Sequence, residues 1–270
     1  GLGKLGMPDS LLDVFSRDIA RPHGIVLVTG PTGSGKTTTL YSALTYLNRP
    51  DTKIITLEDP VEYELPMINQ AQINTAKGFT FAKGLRAILR QDPDIILVGE
   101  IRDSETAQLA IRAALTGHLV FSTLHTNSAA GAVPRLLDMG VEPFLLSATL
   151  VSVLAQRLVR TVCPECAESV QVTPGELELL ALDASEFAAA ELRRGRGCRL
   201  CHDSGFRGRL AVFEYLEITR DLRKLIIEGR DASVIADAAV AAGQRTLHDD
   251  ALLKVKAGQT TVQEMLRVVV

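Results

Sequence analysis

Ile25-Val26-Leu27-Val28-Thr29, running into Gly30-Pro31-Thr32-Gly33-Ser34-Gly35-Lys36-Thr37, is the stretch that decides the fold. An apolar run of strand length ends in a glycine-rich turn, and good helix formers follow over residues 37–48. Strand, glycine turn and helix open an α/β unit. The turn matches GxxxxGK[ST]. Its glycines let backbone N–H groups converge on phosphate oxygens without Cβ clashes. The helix behind it offers its N-terminus to an anion. Lys36 is then the residue expected to reach the β- and γ-phosphates of ATP, and Thr37 the ligand for Mg²⁺. Gly30, Pro31, Thr32, Gly33, Ser34 and Gly35, with Thr38 just beyond, complete the expected nucleotide cradle.

Further apolar, β-branched runs lie at residues 53–57, 95–98 and 119–123 and read as buried parallel strands. Helical patterns fall between and after them, at residues 81–90, 104–115, 129–139 and 143–159, with another ahead of the first strand at 9–20. Asp9 or Ser10 is the expected cap of the first, and Ser104 of the 104–115 helix. Pro143 suits a first helical turn, whereas Pro134 is awkward inside its helix. Beyond residue 209 the pattern is a short strand and then helices at 221–228, 232–242, 246–257 and 261–268.

The 270 residues carry 29 Lys and Arg against 32 Asp and Glu, a net charge of −3, which argues against a strongly basic nucleic-acid binder. Aromatic residues make up only 4%, with no Trp, which argues against base-stacking platforms. No apolar run approaches the roughly 20 residues of a membrane span. Residues 1–10 lack the apolar stretch of a signal peptide. The chain starts without Met, so a fragment of a longer protein is expected.

In open α/β sheets ligands bind beyond the C-terminal strand ends. Asp94-Ile-Ile-Leu-Val-Gly-Glu100 ends an apolar strand in a carboxylate, so Glu100 is a candidate to orient or deprotonate an attacking water. Gly99 stands where a Walker B segment usually has its Asp. Glu58, at the end of the 53–57 strand, is a second candidate for the base or for the metal's water shell. His118 and His125 flank the 119–123 strand. Seven extended residues span roughly 23 Å, so both cannot touch one phosphate. His125 is on the ligand side and is the candidate γ-phosphate sensor, and His118 is assigned to structure or a neighbouring site. Arg86 and Arg90, spaced i and i+4, can meet phosphate in cis or from a neighbouring subunit, or form an ordinary solvated face. Arg102 is more weakly placed and can simply pair with an acid.

Composition changes at Cys163. Cys163-Pro-Glu-Cys166 and Cys198-Arg-Leu-Cys201 form two CxxC knuckles with an Ala/Glu-rich, helical-looking insert between them. Four thiolates can close a tetrahedral zinc shell, structural rather than catalytic. A redox pair or buried free thiols are the alternatives, and His202 is a possible replacement ligand.

Together, Gly30–Thr37, TLEDPVEY at 56–63, GLRAILRQDPDIILVGEIRD at 84–103 and TGHLVFSTLHTN at 116–127 resemble the Walker A, Asp, Walker B and His boxes of the secretion ATPases. The nearest groups are the type II secretion and type IV pilus assembly ATPases, and the resemblance runs through the cysteines to the C-terminal helices. It implies a RecA-like P-loop core at residues 25–162 behind a linker and entry helix at 1–24, a tetracysteine zinc module at 163–209 and a helical region at 210–270. It also implies a homohexamer, peripheral to the cytoplasmic face of the bacterial inner membrane, that couples ATP hydrolysis to assembly of pilus-like fibres and protein export. Its partners would be inner-membrane platform and cytoplasmic-domain proteins, docked by N-terminal domains that this chain lacks. A nucleic-acid motor and a nucleotide-gated scaffold are the alternatives from other classes.

Overall fold

The computed structural model describes residues 1–180, 184–187 and 189–269. Its strands are β1 (Gly24–Thr29), β2 (Ile54–Glu58), β3 (Asn69–Gln72), β4 (Ile95–Val98), β5 (Leu119–Leu124), β6 (Leu150–Val162), β7 (Ala167–Ser169), β8 (Arg193–Gly195) and β9 (Phe206–Glu217). Its helices are α1 (Asp9–Ile19), α2 (Lys36–Leu47), α3 (Phe81–Ile88), α4 (Ser104–Leu115), α5 (Ala132–Asp138), α6 (Pro143–Thr149), α7 (Pro174–Leu180), α8 (Arg220–Ile227), α9 (Ala232–Ala241), α10 (Leu247–Lys256) and α11 (Val262–Val269). The large sheet runs β3-β2-β4-β5-β1-β6-β9. The pairs β2·β3, β2·β4, β4·β5, β5·β1 and β1·β6 are all parallel. Every residue of β1, β2, β4 and β5 is buried, which is why these strands read as unbroken apolar runs without alternation.

Compactness divides the chain into two interleaved units, Gly1–Gln156 with Glu214–Gln244, and Arg157–Phe213 with Arg245–Val270. In the first unit Asp18, fully buried in α1, accepts the Tyr215 phenol at 2.7 Å and Arg21 at 2.9 Å, which ties residues 214–244 to the amino-terminal part.

In the second unit Glu264 is 1% exposed and accepts from the backbone and guanidinium of Arg160 and from Arg267, at 2.6–3.0 Å. Burial opposes its charge, but these hydrogen bonds outweigh it and hold the carboxyl at about 2. An unfolded Glu titrates near about 4.3, so the lowered folded value stabilises above that pH and is lost as pH falls toward 2. Glu264→Gln is expected to cost about 2 kcal/mol at pH 7, less than a fully buried pair because both arginines are half exposed. The variant should also melt with a smaller stability change between pH 5 and pH 2 than the native chain. Equal acid sensitivity in thermal melts would remove the assignment.

Four expectations change. The helix over 143–159 stops at Thr149, and the chain continues as β6. Leu150 and residues 152–155 pair with β1 and are buried, so their apolar run carries no alternation to distinguish strand from helix. Asp103, not Ser104, caps α4, by accepting from the Thr106 N–H at 2.8 Å. Pro8 is the N-cap of α1, with no side-chain bond from Asp9 or Ser10. The helix at 81–90 becomes 3-10 at Leu89–Gln91. β3 was not foreseen, because Asn69-Gln-Ala-Gln72 is a polar edge strand. Pro134 falls at the third residue of α5, where its missing N–H costs no helical bond. Of the Ala/Glu-rich insert, Pro174–Leu180 is helical and Ala184–Phe187 is a 3-10 turn, while residues 181–183 and 188 lie outside the described residues.

Candidate nucleotide site and metal centre

The phosphate loop leaves β1 at Gly30 and enters α2 at Lys36. Gly35 is the N-cap at φ 89°, a left-handed conformation that favours a residue without Cβ. No side chain caps α2, so its first N–H groups remain available to an anion. Lys36 Nζ curls over the loop and donates to the carbonyls of Gly30 at 2.8 Å and Pro31 at 3.0 Å. Ser34 Oγ is buried without a hydrogen-bond partner, an orphan that a phosphate oxygen would satisfy. Pro31, Thr32, Gly33 and Thr38 are exposed, and Thr37 is half-buried in the first turn of α2. The residues present therefore fit a nucleotide polyphosphate, with the Thr37 hydroxyl as the donor for Mg²⁺.

Glu100 lies just past β4, and its side chain is 12% exposed. One carboxylate oxygen meets Arg102 at 2.5 Å, and the other lies 3.4 Å from His125 Nε2. The structure thus brings Glu100 and His125 together, and Arg102 takes the acid-pairing role. Gly99 also has a structural reason. A Cβ there would lie 3.0 Å from the Leu57 carbonyl and 3.4 Å from Glu58 Cα, so a side chain at this position would crowd the backbone of β2.

Glu58 sits in a different setting. It is 4% exposed and accepts from the Tyr41 phenol, from Thr56 Oγ1 at 2.5 Å and from Gln70 Nε2 at 3.1 Å. Burial, together with the bond to Glu58, raises the Tyr41 phenol above its ordinary range, so it stays the proton donor. A carboxylate with three protein donors is a fixed anchor at the end of β2. Tyr41, Thr56 and Gln70 were not foreseen. The one available signal was a set of polar groups within otherwise apolar elements.

His118 precedes β5, at the opposite end from His125, with Nδ1 3.0 Å from the Ala113 carbonyl and 3.4 Å from Thr116 Oγ1, a structural setting. Arg86 pairs with Glu105 of α4 at 2.5 Å. Arg90, in the 3-10 turn, is exposed and forms no ion pair among the described residues. Neither arginine joins the Glu100–His125 pair.

In the second unit the sulfurs of Cys163, Cys166, Cys198 and Cys201 all lie within 4.8 Å of one another. The separations Cys163–Cys198, Cys166–Cys201 and Cys198–Cys201 are 4.0, 3.8 and 3.7 Å. A tetrahedron with Zn–S of about 2.3 Å has edges of roughly 3.8 Å, so the donor set fits zinc. Burial pushes the Cys166 thiol up to about 12. Burial also opposes ionisation of Cys201, but the N–H groups of Cys198 and Gly205 outweigh it and bring that thiol down to about 6. Gly195 and Gly205 let the chain segments on either side of the second knuckle approach closely, since a Cβ on Gly195 would fall 2.1 Å from the Gly205 carbonyl. His202 adopts φ 50° and is not among the four clustered ligands.

Residues 1–267 match the family described as Type II/IV secretion system protein. The type II secretion system protein E of Pseudomonas aeruginosa is 51% identical over 267 residues, covering 99% of this chain and 53% of that protein. The type IV pilus assembly ATPase PilB of Thermus thermophilus is 51% identical over 262 residues, covering 97% of this chain and 30% of that protein. Among solved structures, the pilus retraction motor PilT with bound ADP superposes with a TM-score of 0.73 at 31% identity, covering 98% of this chain and 66% of that one. The ATPase DotB of Legionella pneumophila gives 0.72 at 27% identity, covering 98% and 64%. The chain spans about half the length of the type II relatives it matches, 53% for the Pseudomonas protein.

Proposed function

Since this chain belongs to the type II/IV secretion system protein family, we propose that it is the ATP-hydrolysing part of a type II secretion motor. In this reading hydrolysis drives assembly of pilus-like fibres and protein export. The observation that carries the reading is the pairing of Glu100 with His125 beyond the ends of β4 and β5, in the sheet whose β1 leads into the phosphate loop. Lys36 and the loop N–H groups bind the β- and γ-phosphates, and Thr37 holds Mg²⁺, which neutralises phosphate charge when bound. Glu100 aligns and deprotonates the attacking water, and His125 senses the γ-phosphate. Glu58 supports the site through Tyr41 and Gln70. Arg86 and Arg90 meet phosphate either in cis or from a neighbouring subunit of a homohexamer. The division of labour is nucleotide chemistry in 25–162, entered through 1–24, a zinc module in 163–209 and a helical region in 210–270.

The motor works peripherally at the cytoplasmic face of the inner membrane, on an inner-membrane platform reached through domains outside this chain. No helix among the described residues is long and apolar enough to cross a membrane. The equal 51% identity to a pilus assembly ATPase supports type IV pilus extension as the second reading.

The test is Mg²⁺-dependent ATP turnover with and without single-stranded DNA. Hydrolysis indifferent to DNA is the expected result. Turnover that rises sharply with DNA would move the chain to a nucleic-acid motor. ATP binding without turnover, even in the assembled machine, would make it a nucleotide-gated scaffold.

A further inference from the structure

Gln156 is a polar side chain in the apolar run of β6, and no step described above uses it. It follows Ala155, the partner of Thr29 at the end of β1, and is 3% exposed. Its amide nitrogen donates to the Ser34 carbonyl at 2.8 Å, and its amide oxygen accepts the Thr39 hydroxyl at 2.7 Å. The orientation of the amide follows from chemistry, because a carbonyl can only accept. Ser34 and Thr39 are 3% and 0% exposed, so water has no access to replace either bond. One side chain therefore holds the phosphate loop and the first turn of α2 on either side of Lys36 and Thr37.

The Ser34–Gly35 peptide is trans, since Asp59–Pro60 is the cis bond among the described residues. In a trans peptide the C=O and N–H point in opposite directions. Holding Ser34 O against Gln156 therefore turns the Gly35 N–H away from β6, as a phosphate-cradling loop requires. Gly35 has no Cβ and sits at φ 89°, so its own sterics do little to fix that plane.

We infer that Gln156 is a positioning residue for nucleotide binding, which pre-aims the Gly35 N–H at a phosphate oxygen while Thr39 keeps its amide from turning. The inference rests on the reading of this loop as an ATP site. Gln156 touches no reacting atom, and the Gly35 N–H contacts phosphate in ground and transition states alike. Its loss should therefore weaken binding and spare the chemical step.

The test measures MgADP affinity, ATP turnover and thermal melting of Gln156→Met, Gln156→Glu and Thr39→Val. Met keeps the side-chain volume and removes both bonds. With it, Kd for MgADP and KM for ATP are expected to rise about tenfold, with kcat within twofold of native. An ionised Glu still accepts from Thr39 but sets a carboxylate oxygen against the Ser34 carbonyl, and it should weaken binding at least as much as Met does. Thr39→Val removes only the brace and should raise both constants about threefold. A folded Met variant with Kd and KM within twofold of native, or one that loses kcat at unchanged KM, would overturn the inference. If the Gln156 variants do not fold, a folded Thr39→Val with native affinity overturns it on its own. A native chain that binds no MgADP would instead overturn the ATP-site reading beneath it.

Discussion

Glu100→Gln is expected to lower kcat for ATP hydrolysis by about a hundredfold or more while MgATP binding stays close to native. Gln keeps the shape and the contact to His125 but cannot take a proton, and general-base catalysis contributes typically about 10²–10⁴ in rate. Lys36→Ala should behave differently and lose both affinity and turnover, because its ammonium meets phosphate charge in ground and transition states. Glu58→Gln is the control. Its carboxylate is sealed among Tyr41, Thr56 and Gln70, so exchange to an amide should lower stability more than it changes the chemical step. Single-turnover hydrolysis with separately measured MgATP affinity distinguishes the three. Unchanged single-turnover hydrolysis in Glu100→Gln would remove Glu100 from the chemistry, and a hundredfold loss in Glu58→Gln with intact folding would give Glu58 the base role.

Zinc removal is expected to have the largest effect on stability. The four thiols are gathered by two short knuckles, and the described part of the insert between them adds only short elements. Structural zinc in small peptides contributes roughly 10–16 kcal/mol of apparent binding energy at pH 7, which becomes folding energy where no site preforms. Elemental analysis should find one zinc per chain. Cys163→Ser or a strong chelator should unfold residues around the knuckles and lower the melting transition of the second unit well before that of the first. Ligand thiols must shed their protons, so acidification should release the metal along the same path. A metal-free chain with an unchanged melting profile would show that packing alone holds the four sulfurs together.

The two predictions draw on different kinds of legibility. The phosphate loop and the cysteine knuckles are local. Each packs its chemistry into eight or four consecutive residues. β4 and β5 were legible because both faces are covered, so their apolar runs stand out between turns. β6 was not, since its equally unbroken run follows directly on the helix α6, with no breaker at Thr149–Leu150 to mark where the helix ends and the strand begins. Arg86 shows a third case. Its helix was expected, but its partner Glu105 lies 19 residues away on α4, and helix periodicity carries no information about that pairing.

Local patterning was enough for the α/β opening, the glycine-rich turn, the placing of Glu100 and His125 beyond strand ends and the two CxxC pairs. Each depends on spacing within a short segment or, for the thiols, within two CxxC pairs. Tertiary packing is what separates the surroundings of the two strand-end acids and supplies the contacts on the loop. Glu58 and Glu100 end neighbouring parallel strands and look alike in sequence, yet one is enclosed by donors from α2 and β3 and the other faces His125 and Arg102. Gln156 reaches Ser34 across 122 residues of chain. Burial and hydrogen-bond satisfaction belong to elements brought together from distant positions, and it is packing, not local spacing, that assigns them.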